Sequence, residues 1–414
     1  MTDWKSDRNL GPWALDKQRT VLGYLNNPRW TAAASTTIHK PCGYWREPRT
    51  IIEAIGTPTE KRPWKRVVIS TDGKYRAACW YTDSPSDGEI YVSTNYGLLW
   101  EKKGPNKRWY FIFMSPTGQY LLAGDAIENK TWRSSDYGQT WIVAAVPACC
   151  ISAAFSSNGQ FQTFGGPGPS KLYTSSDFGV TWTEKNYAAS NVIMSTTGQY
   201  QTVSSNLVHV SVDYGVTWVS KLPWGVFNRA AMSSNGQYQS ICDAYSFGIV
   251  RVSNNFGVTW TNAGLPYTGG SSWREMNMTS DGQVQVVDST GIDLLYYSTN
   301  YGVSWTAVSL DLLSGYDISK MVMAPNNGLL LMLQTSTEQL WLSSNLGVSW
   351  KKRGLSKRWI DAAMSVTGQH QIAINNNVDN IYQSSNYGET WNIYAKVVID
   401  SDDMYKEANT VWPI

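Results

Sequence analysis

Ser253-Asn254-Asn255-Phe256-Gly257-Val258-Thr259-Trp260 decides the fold, because the chain spells this octet seven more times with small changes. The other copies are Ser93–Trp100, Ser134–Trp141, Ser175–Trp182, Ser211–Trp218, Ser298–Trp305, Ser343–Trp350 and Ser384–Trp391. Their shared pattern is Ser-x-Asp/Asn-x-Gly-x-Thr/Ser-Trp, with Leu99 departing at the hydroxyl position. Successive tryptophans lie 41, 41, 36, 42, 45, 45 and 41 residues apart. A period in this range marks a stacked or closed repeat, so the repeat sets the domain count and the length of 414 residues does not.

A second motif, Ser-x-x-Gly-Gln-Tyr or a near copy, precedes each octet, as in Ser233-Ser234-Asn235-Gly236-Gln237-Tyr238. Short strand-like runs flank it, Ala230-Ala231-Met232 before and Gln239-Ser240-Ile241 after. That reads as a β-hairpin. The octet is a second turn, entered by Ile249-Val250-Arg251-Val252 and left by Thr259-Trp260-Thr261. Each repeat therefore predicts four short antiparallel strands, A to D. Eight such units predict an all-β chain folded as a single β-propeller.

The octet has a structural explanation. Its acidic position is Asp136, Asp177 and Asp213 in three copies and Asn95, Asn255, Asn300, Asn345 and Asn386 in five. An acceptor for turn N–H groups is required there and a charge is not. The tryptophans Trp100, Trp141, Trp182, Trp218, Trp260, Trp305, Trp350 and Trp391 open strand D and are expected to wedge between blades. Burying one such ring is worth at most about 5 kcal/mol by area.

In these boxes the chain resembles the Asp-box, or BNR, repeat propellers of sialidases, sortilin-type receptors, xyloglucanase-type glycosidases and photosystem-assembly proteins. More loosely it resembles propellers of large DNA viruses. The boxes are specific for fold and weak for function, since these families share little else. The resemblance implies that the working face lies opposite the boxes, on the D–A and B–C loops.

Half-repeats stand at the two ends. Residues 397–405 resemble an A–B hairpin and residues 51–58 resemble a strand-D exit. Pairing them would give a composite closing blade and nine blades; otherwise the ring has eight. The expected domains are a box-free arm over 1–49, carrying Trp4, Trp13, Trp30 and Trp45, and a propeller over 50–414. The arm is expected to pack on its own propeller or to reach a neighbouring subunit or particle surface.

Thirty-four basic against 32 acidic residues leave a net charge of +2, which is no global footprint for nucleic acid or an acidic membrane. No apolar run marks a secretory leader or a membrane span, so a cytoplasmic or particle-associated chain without membrane insertion is expected. Five cysteines without framework spacing suggest free thiols. His39, His209 and His370 are scattered and form no metal-binding motif, and no cofactor is expected.

Three D–A loops share basic residues beside a tryptophan: Arg62, Trp64 and Arg66; Lys107, Arg108 and Trp109; Lys357, Arg358 and Trp359. They enter repeats 1, 2 and 8, which a closed ring makes neighbours. Arg beside Trp offers hydrogen-bond forks and stacking surfaces for an anion, a sugar or an acidic protein. The plainer reading is a solvated basic rim with the tryptophans under the blades. Glycosidase chemistry needs two carboxylates about 5 to 10 Å apart. Asp125, Asp243, Asp288, Asp293, Glu338 and Asp361 are candidates, and nothing in the sequence pairs them. The sialidase start motif Arg-Ile-Pro is absent.

The sequence thus predicts a non-catalytic structural or docking module, within a multi-subunit or viral particle. Its partners are expected to be proteins, or copies of itself held through residues 1–49. A carbohydrate-active protein, glycoside hydrolase or lectin, is the alternative.

Overall fold

The computed structural model describes residues 51–54, 62–82, 87–146, 148–167, 171–222, 225, 227–243, 249–265, 272–290, 294–310, 318–334, 338–354, 356–375, 380–393 and 395–398. Eight four-stranded sheets run in simple chain order, each strand antiparallel to the next. They span residues 64–103, 109–143, 152–185, 191–222, 227–262, 272–309, 318–353 and 359–393, and are numbered here blades 1 to 8. The described residues contain no helix.

Burial within a blade follows composition. Strands B and C are mostly apolar or small and largely buried, as in Arg76–Trp80, Glu89–Ser93 and Leu330–Gln334, with single polar side chains such as Arg76 and Glu89 taken in with them. Strand D is short, polar and largely exposed, as in Glu101–Lys103, Thr183–Lys185 and Lys351–Arg353. Charged side chains on a short outer strand blunt an edge that would otherwise pair with another sheet.

The A strands of neighbouring blades touch all the way round, and blade 8 touches blade 1. The A–B turns are tied to one another as well. Thr196 N donates to Ser234 O, Ser234 N to Ser280 O and Ser280 N to Pro325 O, at 2.7–2.8 Å. The closing bond runs from Val366 N in blade 8 to Thr71 O in blade 1, at 2.9 Å. Blade 8 therefore abuts blade 1 directly, which leaves no gap for a ninth, composite blade. The terminal strands Ile51–Ala54 and Ala395–Val398 instead pair with each other as a two-stranded sheet. The expected arm, residues 1–49, lies outside the described residues.

Candidate functional site

The box turns behave uniformly. In blade 3, Ser175 Oγ accepts from Gly179 N at 3.0 Å and donates to Asp177 Oδ1 at 2.8 Å, while Asp177 Oδ1 also accepts from Thr181 N at 2.8 Å. In blade 5, Asn255 takes the same place and accepts from Thr259 N at 2.9 Å. The residue before the box glycine adopts a left-handed backbone, Phe256 at φ 62° followed by Gly257 at 78°. Trp141 of blade 2 packs with Cys79, Ile90 and Val92 of blade 1. Its Nε1 donates back to Gly138 O at 2.9 Å.

The D–A and B–C loops share the opposite end, where Lys107 N donates to Gly88 O at 3.0 Å. Here the tryptophans of the basic loops go inward. Trp64, Trp109 and Trp359 are among the largest fully buried side chains, each in the apolar core between two blades. Their faces are closed to a ligand. The cause is a register shift just after each ring, between Trp64 and Arg66, Trp109 and Phe111, and Trp359 and Asp361. Such a bulge turns one large side chain into the core and re-aims those that follow.

The basic residues stack on other rings, which the sequence reading had not singled out. The Tyr81 and Tyr110 rings stack with centroids 4.6 Å apart. Arg108 lies 5.1 Å over Tyr81 and 5.3 Å over Tyr110, and Lys65 lies 5.0 Å over Tyr81. The exposed Arg66 lies 5.4 Å over Phe111. At the same end Arg62 lies 4.3 Å over Trp80 and pairs with Glu89 at 3.4 Å. Glu89 also holds Lys102 at 2.6 Å and accepts from Trp80 Nε1 at 3.1 Å. Burial alone would raise its carboxyl, but Lys102 and Arg62 outweigh that and hold it below the usual range. Lys107 pairs with Glu128. In the third loop Arg358 is exposed and Lys357 half-buried. The result is a cation–aromatic sector on blades 1 and 2, with the Arg358 loop of blade 8 beside blade 1.

A second feature was invisible in the sequence. Arg229, Glu275, Lys320, Asp361 and Arg66 sit near the start of strand A in blades 5, 6, 7, 8 and 1, so charge alternates around the inner ring. Arg229 pairs with Glu275 at 3.6 Å, and Lys320 pairs with Asp361. Asp361 Oδ2 also accepts from Val67 N of blade 1 at 3.0 Å. Ser152 does the same between blades 3 and 4, accepting from Val192 N at 3.0 Å. These are clasps across blade seams.

Of the other candidate carboxylates, Asp125 is engaged and Asp288 inaccessible. Asp125 Oδ1 caps its own loop, accepting from Ile127 N at 3.0 Å. Asp288 is 1% exposed and accepts from Glu275 N at 2.8 Å. Burial, aided by the Glu275 charge, pushes its carboxyl up to about 7. Burial likewise raises Glu275 against the pull of Arg229 and Lys320. A raised pair of this kind is an acid–base signature, yet Asp288 has no surface to offer a substrate. Glu338 is exposed. Asp293 and the side chain of Asp243 lie outside the described residues. Cys79, Cys149, Cys150 and Cys242 are buried free thiols, with burial raising Cys79 and Cys149 to about 12.

The family described as BNR-Asp box repeat matches residues 172–185, within blade 3. None of the curated proteins matches the sequence. Among solved structures, the GH74 xyloglucanase of Xanthomonas campestris is 14% identical over 83% of this chain and 68% of its own, with a TM-score of 0.52. Chaetomium thermophilum Sqt1, bound to the N-terminus of ribosomal protein L10, is 12% identical over 80% of this chain and 98% of its own, with a TM-score of 0.59. The C-terminal WD40 domain of Sif2 is 11% identical over 81% and 97%, with a TM-score of 0.57. Identities this low establish a shared fold, which serves a glycosidase in one neighbour and a peptide-bound protein in another.

Proposed function

We propose that this eight-bladed propeller of BNR-Asp-box repeats is a non-catalytic docking module that holds an acidic segment of a partner protein. The observation that carries the reading is the interleaved stack of Lys65, Arg66 and Arg108 with Tyr81, Tyr110 and Phe111. Guanidinium groups held over rings are pre-positioned, so less side-chain freedom is lost when a carboxylate arrives. The rings beside them offer apolar contact to the residues flanking that carboxylate. Of the carboxylates a hydrolase could use, Asp361 is held in a seam clasp, Asp125 in a loop cap and Asp288 is buried, which also favours docking over catalysis. Sqt1, bound to a peptide, is a precedent for the fold in this role.

The test is an array of acidic and neutral peptides probed with the wild-type chain and with an Arg66→Ala/Arg108→Ala double variant. Acidic peptides should bind, and the double variant should lose them. Unchanged capture by the double variant would remove the sector from the account. A glycan-binding reading is favoured by one feature, the stacked Tyr81–Tyr110 platform. A glycan array with a fluorogenic-glycoside screen separates the two.

A further inference from the structure

On the box face, at six of the eight seams, the ring of the A–B hairpin meets the ring before the box glycine of the next blade. Tyr75 stacks on Tyr137 at 4.2 Å and Tyr120 on Phe178 at 5.3 Å, and Phe161 lies tilted against Tyr214 at 4.5 Å. Tyr200 stacks on Phe256 and Tyr238 on Tyr301, both at 4.3 Å. His370 of blade 8 meets Tyr96 of blade 1 at 5.0 Å across the closing seam. The hairpin ring is also wedged against the next blade's hairpin glycine, as Tyr75 is against Gly118.

Two seams depart. Between blades 6 and 7 both partners are aliphatic, Val284 and Leu346. Between blades 7 and 8 the hairpin residue is Leu329, while the box residue is Tyr387. Leu329 keeps the usual seat against Gly368. Tyr387, 46% exposed, has no aromatic partner among the described residues. At this seam a cavity of about 250 Å³ opens, lined among others by Leu329, Leu342, Lys351, Arg353, Tyr387 and Glu389. A cavity of about 150 Å³ suffices for a benzene ring. Arg353 is already paired with Glu389 at 2.7 Å. Lys351 is exposed and pairs with no carboxylate among the described residues.

We infer that the seam between blades 7 and 8 is a binding site for an aromatic side chain of a partner protein, with an acidic residue next to it. The guest ring takes the place beside the box residue that a hairpin ring fills at six other seams, stacked on Tyr387 above Leu329. The adjoining carboxylate meets Lys351. This site lies on the face opposite the cation–aromatic sector, so its failure would leave the docking role proposed for that sector untouched.

Saturation-transfer NMR tests the site with acetyl-Tyr-Glu-amide, and with acetyl-Ala-Glu-amide as control. The wild-type chain should saturate the ring protons of the first probe and leave the second silent. Leu329→Tyr fills the cavity from within and should abolish the signal. Lys351→Ala, an exposed change that leaves the fold intact, should weaken the first probe about two- to fivefold, the worth of one exposed ion pair. A silent wild type, equal signals from both probes, or an undiminished signal in Leu329→Tyr would each overturn the inference. Should Leu329→Tyr fail to fold, a Lys351→Ala chain that binds as tightly as wild type is the overturning result.

Discussion

Replacing Asp361 by alanine should unfasten the seam where the ring closes. Asp361 is 2% exposed, and its Oδ2 accepts from the N–H of Val67, itself 3% exposed, across the boundary between blades 8 and 1. Alanine leaves that buried N–H without an acceptor, which costs about 1–3 kcal/mol. It also strips Lys320 of its partner. Lys320 is 31% exposed and can return to water, so this part adds under about 1 kcal/mol. The expected loss is about 1–4 kcal/mol, a large share of the 5–15 kcal/mol typical of a folded domain. Asparagine keeps an oxygen for Val67 and gives up only the charge, so Asp361→Asn should cost about 1 kcal/mol. Urea denaturation followed by tryptophan fluorescence measures both. Equal losses for the two variants, or a loss under about 1 kcal/mol for alanine, would refute the clasp.

Box chemistry predicts that Asp177→Asn is nearly neutral, whereas Asp177→Ala costs about 1–2 kcal/mol by thermal melting, because an acceptor is needed and a charge is not. Asp288→Asn should stabilise the chain at pH 8 and change little at pH 4. The unfolded carboxyl loses its proton near 3.8 and the folded one near 7, so folding takes up a proton between those values and stability falls as pH rises through them. His370 runs the other way. Burial and the Arg76 charge hold it below its usual 6.5, so the unfolded chain takes up a proton more readily and stability falls as pH drops below that value. His370→Tyr, which supplies the ring used at other seams, should lessen the acid sensitivity of the melting temperature, with the depressed His209 keeping its own share.

The repeat was legible because each box carries its own turn chemistry. Ser, Asp or Asn, Gly and Trp act within eight residues of chain, so spacing alone reveals four strands and their order. The blade count was less legible. The strand-like segments 51–54 and 395–398 do pair, but ring closure is decided by contacts such as Val366 with Thr71 and Asp361 with Val67, some 300 residues apart in sequence. The basic loops could be placed in one sector from the repeat order alone. Which rings face them could not. Trp64, Trp109 and Trp359 look like stacking partners beside arginines, yet the bulge that follows each sends it into the core. The rings that do stack, Tyr81 and Tyr110, come from different blades. Charge alternation among Arg229, Glu275, Lys320 and Asp361 was hidden for the same reason, since one charge per repeat shows no pattern until the blades stand side by side.

The docking role stands or falls on how an acidic peptide binds the sector on blades 1 and 2. The most direct measurement is the dissociation constant of the tightest acidic peptide from the array, over a series of salt concentrations, for the wild-type chain and for Tyr81→Ala. Tyr81 carries Lys65 and Arg108 on its face and stacks on Tyr110. Its removal should weaken binding about three- to tenfold, and salt should weaken the wild type steadily. Binding indifferent to both salt and Tyr81 would contradict the account.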